Sequence, residues 1–151
     1  MKSLVFIAGL VTLTSLLGCG QGSTSSRSGQ ENESARRPEP DRHATPLEIV
    51  NRRMSAYNRH DLAAFLDLYA DGVEIFTYPD RSLGKGREHI RSIFESTFAE
   101  GVVQVAVHHQ IMKDSYVVNH ETVTGGGGTT EYVSIYEVKD GLIQSVGFVR
   151  N

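Results

Sequence analysis

The chain has 151 residues, a hydrophobic content of 39%, a charged content of 22% and a formal net charge of -3 at pH 7. This length is enough for one small domain with its own core. The slightly acidic balance argues against a nucleic-acid partner, because phosphate backbones attract basic surfaces.

Residues 1–18 are predicted to be a bacterial lipoprotein signal peptide. Lys2 gives the start a positive charge, and the apolar run over residues 4–17 is shorter than the roughly 20 residues that a membrane-spanning helix needs. Leu16-Leu17-Gly18-Cys19 resembles the lipobox, in which the cysteine thiol receives a diacylglycerol. We therefore expect lipidation at Cys19, the single cysteine of the chain. The alternative is a plain secretory signal.

Residues 19–45 are predicted to be the lipidated cysteine followed by a disordered tether. Residues 20–46 contain no Val, Ile, Leu, Met or aromatic residue, so they cannot build a core. We expect the anchor and the tether to hold a domain on the envelope side of a membrane. By resemblance to sorted lipoproteins, Gly20 in place of aspartate after the cysteine favours the outer membrane, facing the periplasm of a Gram-negative cell.

Residues 46–151 are predicted to form one domain that opens with two helices. Thr45 can cap the first helix, with Pro46 in its first turn and Glu48 closing a capping box. Asp61 can cap the second helix, which is expected to run to residues 71–72.

The rest of the domain is predicted to be mainly strand. A short strand over residues 73–78 precedes the turn at residues 84–86 and a third helix. Four strands follow, over residues 102–112, 116–124, 129–138 and 142–149. The turns between them are too short for parallel crossovers, so these strands should be antiparallel. The order of elements indicates an α+β fold, in which the helices cover one face of the sheet.

Four motifs carry a resemblance to a known family: AYNRHD at 56–61, YADGVEI at 69–75, GKGRE at 84–88 and IYEVKDGLI at 135–143. Residues 47–150 resemble the SnoaL-like members of the nuclear transport factor 2 superfamily, which includes ketosteroid isomerase and polyketide cyclases. The resemblance implies a cone in which three N-terminal helices pack on a curved, mainly antiparallel sheet around a pocket. Isomerases, cyclases, dehydratases and pure binding domains share this cone, so it does not decide the function.

One carboxylate is the best candidate for a catalytic acid or base. In a strand, His120 and Glu121 point to opposite faces. Glu121 shares the more apolar face with Val117, Asn119 and Val123, so we expect it to point into the pocket. The alternative is a cross-strand ion pair at the surface.

Aromatic and polar side chains are expected to line the rest of the pocket. Such a lining suits a flat, partly polar small molecule. The alternative is that the tyrosines belong to the core and that the terminal arginine is a solvated charge. The expected lining residues are Tyr57, Tyr78, Glu121, Tyr132, Ser134, Tyr136, Phe148 and Arg150.

No metal or cofactor site is predicted. Because strand side chains alternate, the adjacent His108 and His109 should point to opposite faces, and His120 lacks a second histidine at the helical zinc-protease spacing. Residues 125–128 are all glycine, but they lack the Lys and Ser/Thr of a phosphate-binding loop.

The resemblance also argues against ketosteroid isomerisation. The family pattern places Arg53 where that enzyme's first-helix tyrosine would stand and Ser134 where its oxyanion-hole aspartate would stand. The base position falls near Thr77 or Tyr78, and neither is a carboxylate. Whether the domain is an enzyme for another substrate stays open.

The predicted function is therefore that of an envelope-tethered lipoprotein that binds a small apolar or aromatic molecule in a cone-shaped pocket, with or without simple acid/base chemistry. The alternative is a non-catalytic interaction module that forms a homodimer or docks a partner through its sheet. The valines within residues 102–107, with Val133 and Ile135, could supply such a surface.

Overall fold

Helix α1 (Pro46–Asn58) begins where its capping residues predict. The computed structural model describes residues 37–149. The Thr45 hydroxyl accepts from the Glu48 backbone N–H at 3.2 Å, and the Glu48 carboxylate accepts from the Thr45 backbone N–H at 2.7 Å. The capping box is therefore closed, as predicted. No helix within residues 37–149 is long and apolar enough to cross a membrane.

Helix α2 (Leu62–Asp67) is shorter than predicted. The Asp61 carboxylate caps it by accepting from the Ala64 backbone N–H at 3.0 Å. Strand β1 (Tyr69–Thr77) begins soon after Asp67, so the helix end expected at residues 71–72 is wrong. Tyr69 fits a helical apolar spacing, but it pairs in a sheet with Ile143 of the last strand and is buried there. Long-range pairing overrides the local pattern.

Strand β2 (Arg81–Lys85) was not predicted, because it is polar, contains Gly84 and has no alternation. It forms a hairpin with β1, and an ion pair of 2.7 Å joins Lys85 to Glu74. Helix α3 (Arg87–Glu100) follows, and it ends at Gly101, whose φ of 66° is left-handed. Glycine adopts this conformation readily.

One sheet of six strands carries the domain, in the order β2-β1-β6-β5-β4-β3. The pairing of β1 with β6 is parallel, and the other pairings are antiparallel. Helix α1 packs on β3 to β6, and α3 packs on β1 and β2. The α+β class with three helices on a mainly antiparallel sheet is confirmed. The last four strands are β3 (Gln104–Lys113), β4 (Tyr116–Gly125), β5 (Gly128–Lys139) and β6 (Leu142–Val149).

An aromatic cluster fills the space between the helices and the sheet. The Phe65 ring lies 5.0 Å from Phe94, 5.1 Å from Phe98 and 5.1 Å from Tyr69 between ring centroids. The tilted, edge-to-face arrangement is the one that aromatic pairs prefer. The cluster therefore joins α2, α3 and the start of β1.

Residues ahead of α1 also contact the domain. The Arg37 guanidinium donates to the carbonyl oxygens of Asp67 and Tyr69, at 2.8 and 2.6 Å, and to the Asp71 carboxylate at 3.1 Å. The two carbonyls lie where α2 passes into β1. Arg37 thus binds the chain at the point where its direction changes.

A second contact of this upstream segment involves Asp41. Its carboxylate accepts from the Arg52 guanidinium at 2.9 Å. Its carbonyl oxygen lies so close to Gly141 that a Cβ there would approach it to 2.5 Å. The compact unit therefore includes residues upstream of the domain start expected at residue 46.

We predict that Arg37→Ala, in a chain that starts at residue 20, lowers the free energy of unfolding by about 1–2 kcal/mol, because it removes partly exposed hydrogen bonds from a charged donor. Urea unfolding followed by circular dichroism measures this. The matched control is Arg42→Ala, since the exposed Arg42 side chain makes no hydrogen bond or ion pair with residues 37–149. Equal stability of the two variants would contradict a role for the Arg37 contacts.

Candidate functional site

A cavity of about 210 Å³ opens between α1, α3 and the inner face of the sheet. A second cavity of about 130 Å³ adjoins it and shares Arg53, Leu83, Phe94 and Phe148 with it. The larger cavity is lined by Arg53, Tyr57, Thr77, Leu83, Phe94, Glu121, Val123, Tyr132 and Phe148. The smaller cavity is more apolar, and its other lining residues are Tyr69, Ile75, Ile90, Ile93 and Val146.

The structure brings together most of the residues that the sequence singled out. Tyr57, Glu121, Tyr132 and Phe148 line the larger cavity. Ser134 and Tyr136 are fully buried and contact Glu121 without lining the cavity.

One of the expected lining residues, Tyr78, points away from the site. Tyr78 is 59% exposed and does not line either cavity. The reason is strand alternation: Thr77 takes the inward position at the end of β1, so the next side chain points away. Arg150 lies outside the described residues, as does Cys19.

Glu121 is 2% exposed, and its carboxylate accepts three hydrogen bonds. Oε1 accepts from the Ser134 hydroxyl at 2.7 Å and from the Tyr136 hydroxyl at 3.3 Å. Oε2 accepts from the Asn119 amide at 3.0 Å. All three partners project from β4 and β5 on the same inner face, because Asn119 pairs with Ser134 across the two strands. The register of β4 with β5 therefore builds the site around Glu121.

A further amide fixes the orientation of Asn119. The Gln110 side chain on β3 donates to Asn119 Oδ1 at 2.9 Å and to Asn51 Oδ1 at 3.1 Å. Because Oδ1 of Asn119 is occupied as an acceptor, its Nδ2 is the atom that faces Glu121. Sequence alone offered no signal for Gln110, since its role depends on which strands are neighbours.

Arg53 is the site residue that sequence reasoning missed as part of the lining. It is 4% exposed, and its Nε donates to the Tyr69 hydroxyl at 2.9 Å. Its guanidinium carbon lies 5.1 Å from the Phe65 ring centroid, 5.3 Å from that of Tyr136 and 5.5 Å from that of Tyr57. A signal was available: Arg53 stands three residues after Val50 and four before Tyr57, so it shares the buried face of α1.

The guanidinium stays charged in this enclosure. Burial by itself lowers the pKa of Arg53, but the oxygens of Tyr136, Tyr69 and Glu121 more than offset that effect and raise it. Within residues 37–149 no direct ion pair joins Arg53 to Glu121 or to another carboxylate. The larger cavity thus holds a buried cation and a buried carboxylate that do not neutralise each other by contact.

Burial also raises the pKa values of the Tyr136, Tyr69 and Tyr57 phenols, and the nearby Arg53 charge only partly opposes this effect. These hydroxyls are therefore neutral at ordinary pH and can donate hydrogen bonds. The site combines aromatic walls, neutral hydroxyls, one carboxylate and one guanidinium.

A model of the SnoaL-like domain matches residues 50–146. The chain belongs to the SnoaL-like family. Among curated proteins, none matches it. The SnoaL-like domain has a nuclear transport factor 2-like fold, which it shares with many solved structures.

Three of these structures show the range of proteins that share the fold. A cystatin fold protein from Novosphingobium aromaticivorans is 22% identical, with a TM-score of 0.64 over 71% of this chain and 99% of that one. The epoxide hydrolase/cyclase-like enzyme SalBIII is 17% identical, with a TM-score of 0.61 over 70% and 90%. A computationally designed 17-OHP binder is 20% identical, with a TM-score of 0.63 over 72% and 95%. At such identities the likeness concerns the fold alone.

Three histidines gather on the outer face of the same sheet. A bulge in β3 lies between Val107 and His109, so His108 is the extra residue. Both His108 and His109 contact His120, with ring centroids 5.2 and 5.7 Å away. The expectation that these neighbours point to opposite faces is therefore wrong, because a bulge interrupts strand alternation.

This histidine cluster is not arranged as a metal site. His120 pairs with Glu131, and His108 pairs with the Thr122 hydroxyl at 2.6 Å. Across residues 37–149, no three His, Cys, Asp or Glu side chains are placed to hold a metal ion together.

We predict that in the folded domain Tyr57, Tyr69 and Tyr136 ionise only above pH 10.0, the ordinary pKa of tyrosine, because burial raises their pKa values. Because folding raises their pKa values, the stability linked to them is present below pH 10.0 and is lost as pH rises towards the folded-state pKa values.

Alkaline titration followed by phenolate absorbance, with circular dichroism alongside, tests this prediction. Three of the phenols should ionise at a higher pH in the folded domain than in denatured protein, and in Tyr136→Phe only two phenols should show this delay. The prediction fails if every phenol ionises near pH 10.0 while the domain keeps its native spectrum. Denatured protein provides the reference titration.

Proposed function

We propose that the SnoaL-like domain binds one small molecule in the larger cavity, and that the protein does so while anchored by lipid in the cell envelope. The observation that supports this most directly is an open cavity containing buried Arg53 and Glu121, which do not pair with each other. Buried charges of this kind cluster at functional sites more often than in ordinary cores.

The size of the cavity limits the ligand. A protein cavity of about 150 Å³ holds a benzene molecule. The larger cavity has a volume of about 210 Å³, so it fits one ring with small substituents. The rings of Tyr132 and Phe148, 5.9 Å apart between centroids, form part of its wall. We therefore narrow the expected apolar or aromatic ligand to a molecule with a single ring.

Glu121 gives this site a group that could move a proton. Its carboxylate lines the cavity and is held on both oxygens, so it meets a ligand in a fixed position. General bases act when such a carboxylate lies within hydrogen-bonding reach of the proton to be removed. Asn119, Ser134 and Tyr136 would serve as positioning residues for it. The fold does not decide between catalysis and binding, because both an enzyme and a designed binder share it.

Ketosteroid isomerisation is not part of the proposal. Arg53 and Ser134 stand where the family pattern expects the two oxyanion donors, and the Ser134 hydroxyl already donates to Glu121 at 2.7 Å. The base position falls near Thr77 or Tyr78, and neither residue is a carboxylate.

The envelope location rests on the sequence of residues 1–19, which lies outside the described residues. Several acyl chains on one cysteine hold a protein at a membrane durably, whereas a single chain holds it only marginally. We propose that the lipid is attached to Cys19 and that the domain faces the periplasm from an outer membrane.

A second candidate function, a homodimer through the sheet, has one observation in its favour. Ile111 and Val149 remain 67% and 41% exposed on the outer face, in cross-strand rows with Val118, Val133 and Ile135. Val103 and Val105, which the sequence offered for this surface, are instead buried in the core. The homodimer stays a prediction that the mass in solution would test.

We predict that Val123→Phe abolishes the binding of single-ring compounds, because the added ring occupies the larger cavity. Ligand-observed NMR with a panel of benzoate, benzamide and p-cresol measures binding. Val102→Phe is the matched control, since Val102 is 53% exposed and lines neither cavity. If the unaltered protein binds no member of the panel, or if Val123→Phe binds them equally well, cavity binding is the wrong function.

We predict that Cys19→Ser releases the protein from the membrane and leaves the domain folded, because the anchor and the core share no residue. Cell fractionation with salt and carbonate washes, together with circular dichroism of the released protein, measures both effects. A serine variant that stays in the washed membrane pellet would show that lipid on Cys19 is not the anchor.

A further inference from the structure

We infer that the ligand of this cavity is an anion: a single-ring molecule whose carboxylate, or a similar oxyanion, binds between the Arg53 guanidinium and the Tyr69 hydroxyl. This inference rests on the proposed small-molecule binding and specifies the class of ligand.

The first observation is that Arg53 has hydrogen-bond donors that no oxygen of residues 37–149 accepts. A guanidinium carries five N–H donors. The Arg53 Nε donates to Tyr69, and its Nη1 contacts only the Met54 sulfur, at 3.5 Å, which is a weak acceptor. In the described part of the chain, the terminal nitrogens of Arg53 meet no oxygen acceptor, although the side chain is 4% exposed. These terminal nitrogens keep unused N–H donors beside the cavity, so an anion supplied from outside could accept charge-assisted hydrogen bonds from them.

The second observation is that the neighbouring hydroxyl is also available. The Tyr69 oxygen accepts from Arg53, while its own O–H donates to no residue among 37–149. Tyr69 is 2% exposed and lines the smaller cavity together with Arg53. Two adjacent buried groups therefore present donors to the same space, which is the arrangement that an oxyanion requires.

Glu121 does not fill this role from within the protein. Its oxygens already accept from Asn119, Ser134 and Tyr136, and no ion pair links it to Arg53 within residues 37–149. Its negative charge also fixes the direction of the ligand, because like charges repel. The oxyanion must lie on the side of Arg53 that faces the smaller cavity, where no lining residue is acidic.

The rest of the ligand then extends into the larger cavity. Arg53 lines both cavities, so a carboxylate held there places an attached ring among Phe94, Tyr132 and Phe148. The remote part of that ring would approach Glu121. The planar guanidinium suits a planar carboxylate, to which it can donate two parallel hydrogen bonds.

The test compares benzoate with benzamide, which has nearly the same shape but no charge. The full chain, purified in a neutral detergent, is titrated with each compound by calorimetry. Benzoate should bind at least about tenfold more tightly, the scale of a hydrogen-bonded charge. Equal binding of benzoate and benzamide would overturn the inference but leave the proposed function standing. Binding of neither, nor of any other single-ring compound, would overturn both.

Two variants test whether Arg53 and Tyr69 cause the preference for benzoate over benzamide. Arg53→Met should remove it, whereas Arg52→Met, which alters the neighbouring exposed arginine, should retain it. Replacing the buried Arg53 could unfold the domain, so Tyr69→Phe gives an independent test. This variant removes only the hydroxyl group. It should weaken the binding of benzoate several-fold and leave the binding of benzamide unchanged. Tyr116→Phe is its matched control, because Tyr116 is 46% exposed and lines neither cavity. Benzoate binding that is insensitive to both Arg53→Met and Tyr69→Phe would place the anion elsewhere and overturn the inference.

Discussion

The burial of one guanidinium constrains the elements around it. Arg53 lies on the inward face of α1, where a charge is tolerated only among polarisable rings and hydrogen-bonding oxygens. Phe65 on α2, Tyr69 on β1 and Tyr136 on β5 supply these from three separate elements. Tyr69 can do so only because the chain leaves α2 early and enters the sheet. The burial of Arg53 therefore depends on the early end of α2.

The second constraint is the unbroken register of β4 with β5, from Tyr116 opposite Glu137 to Gly125 opposite Gly128. A one-residue slip would turn every inward side chain of one strand outward. Glu121, Asn119 and Ser134 would then no longer meet. On the other side of β4 the register does break, at the His108 bulge, and polar side chains gather on the outer face there. Regular pairing builds the inner site, whereas irregular pairing shapes the outer surface.

The sequence predicted what depends on local chemistry. The capping box at Thr45 and Glu48 and the inward direction of Glu121 follow from the spacing of a few residues, and the structure has both. It did not predict β2, the end of α2 or the side shared by His108 and His109. Each of these depends on how one strand pairs with another, which the local spacing of residues does not reveal. The roles of Gln110 and of the carbonyl partners of Arg37 could not be predicted either, because they too depend on contacts between separate elements.

Arg53 was missed for a different reason, and it shows how such a site can be recognised. An arginine on the apolar stripe of a helix contradicts the pattern that folds that helix, and such contradictions concentrate at functional sites. A core optimised for stability would replace Arg53 and Glu121 with apolar side chains and close the cavity, since buried charges separated from each other are unfavourable. Here the cavity is open, and each charge has its own set of neighbours: rings and a hydroxyl for Arg53, three donors for Glu121. Because the two groups are stabilised separately, neither must move to neutralise the other when a molecule enters the site. That separation leaves the cation free to hold an anion and the carboxylate free to meet the far end of the same ligand.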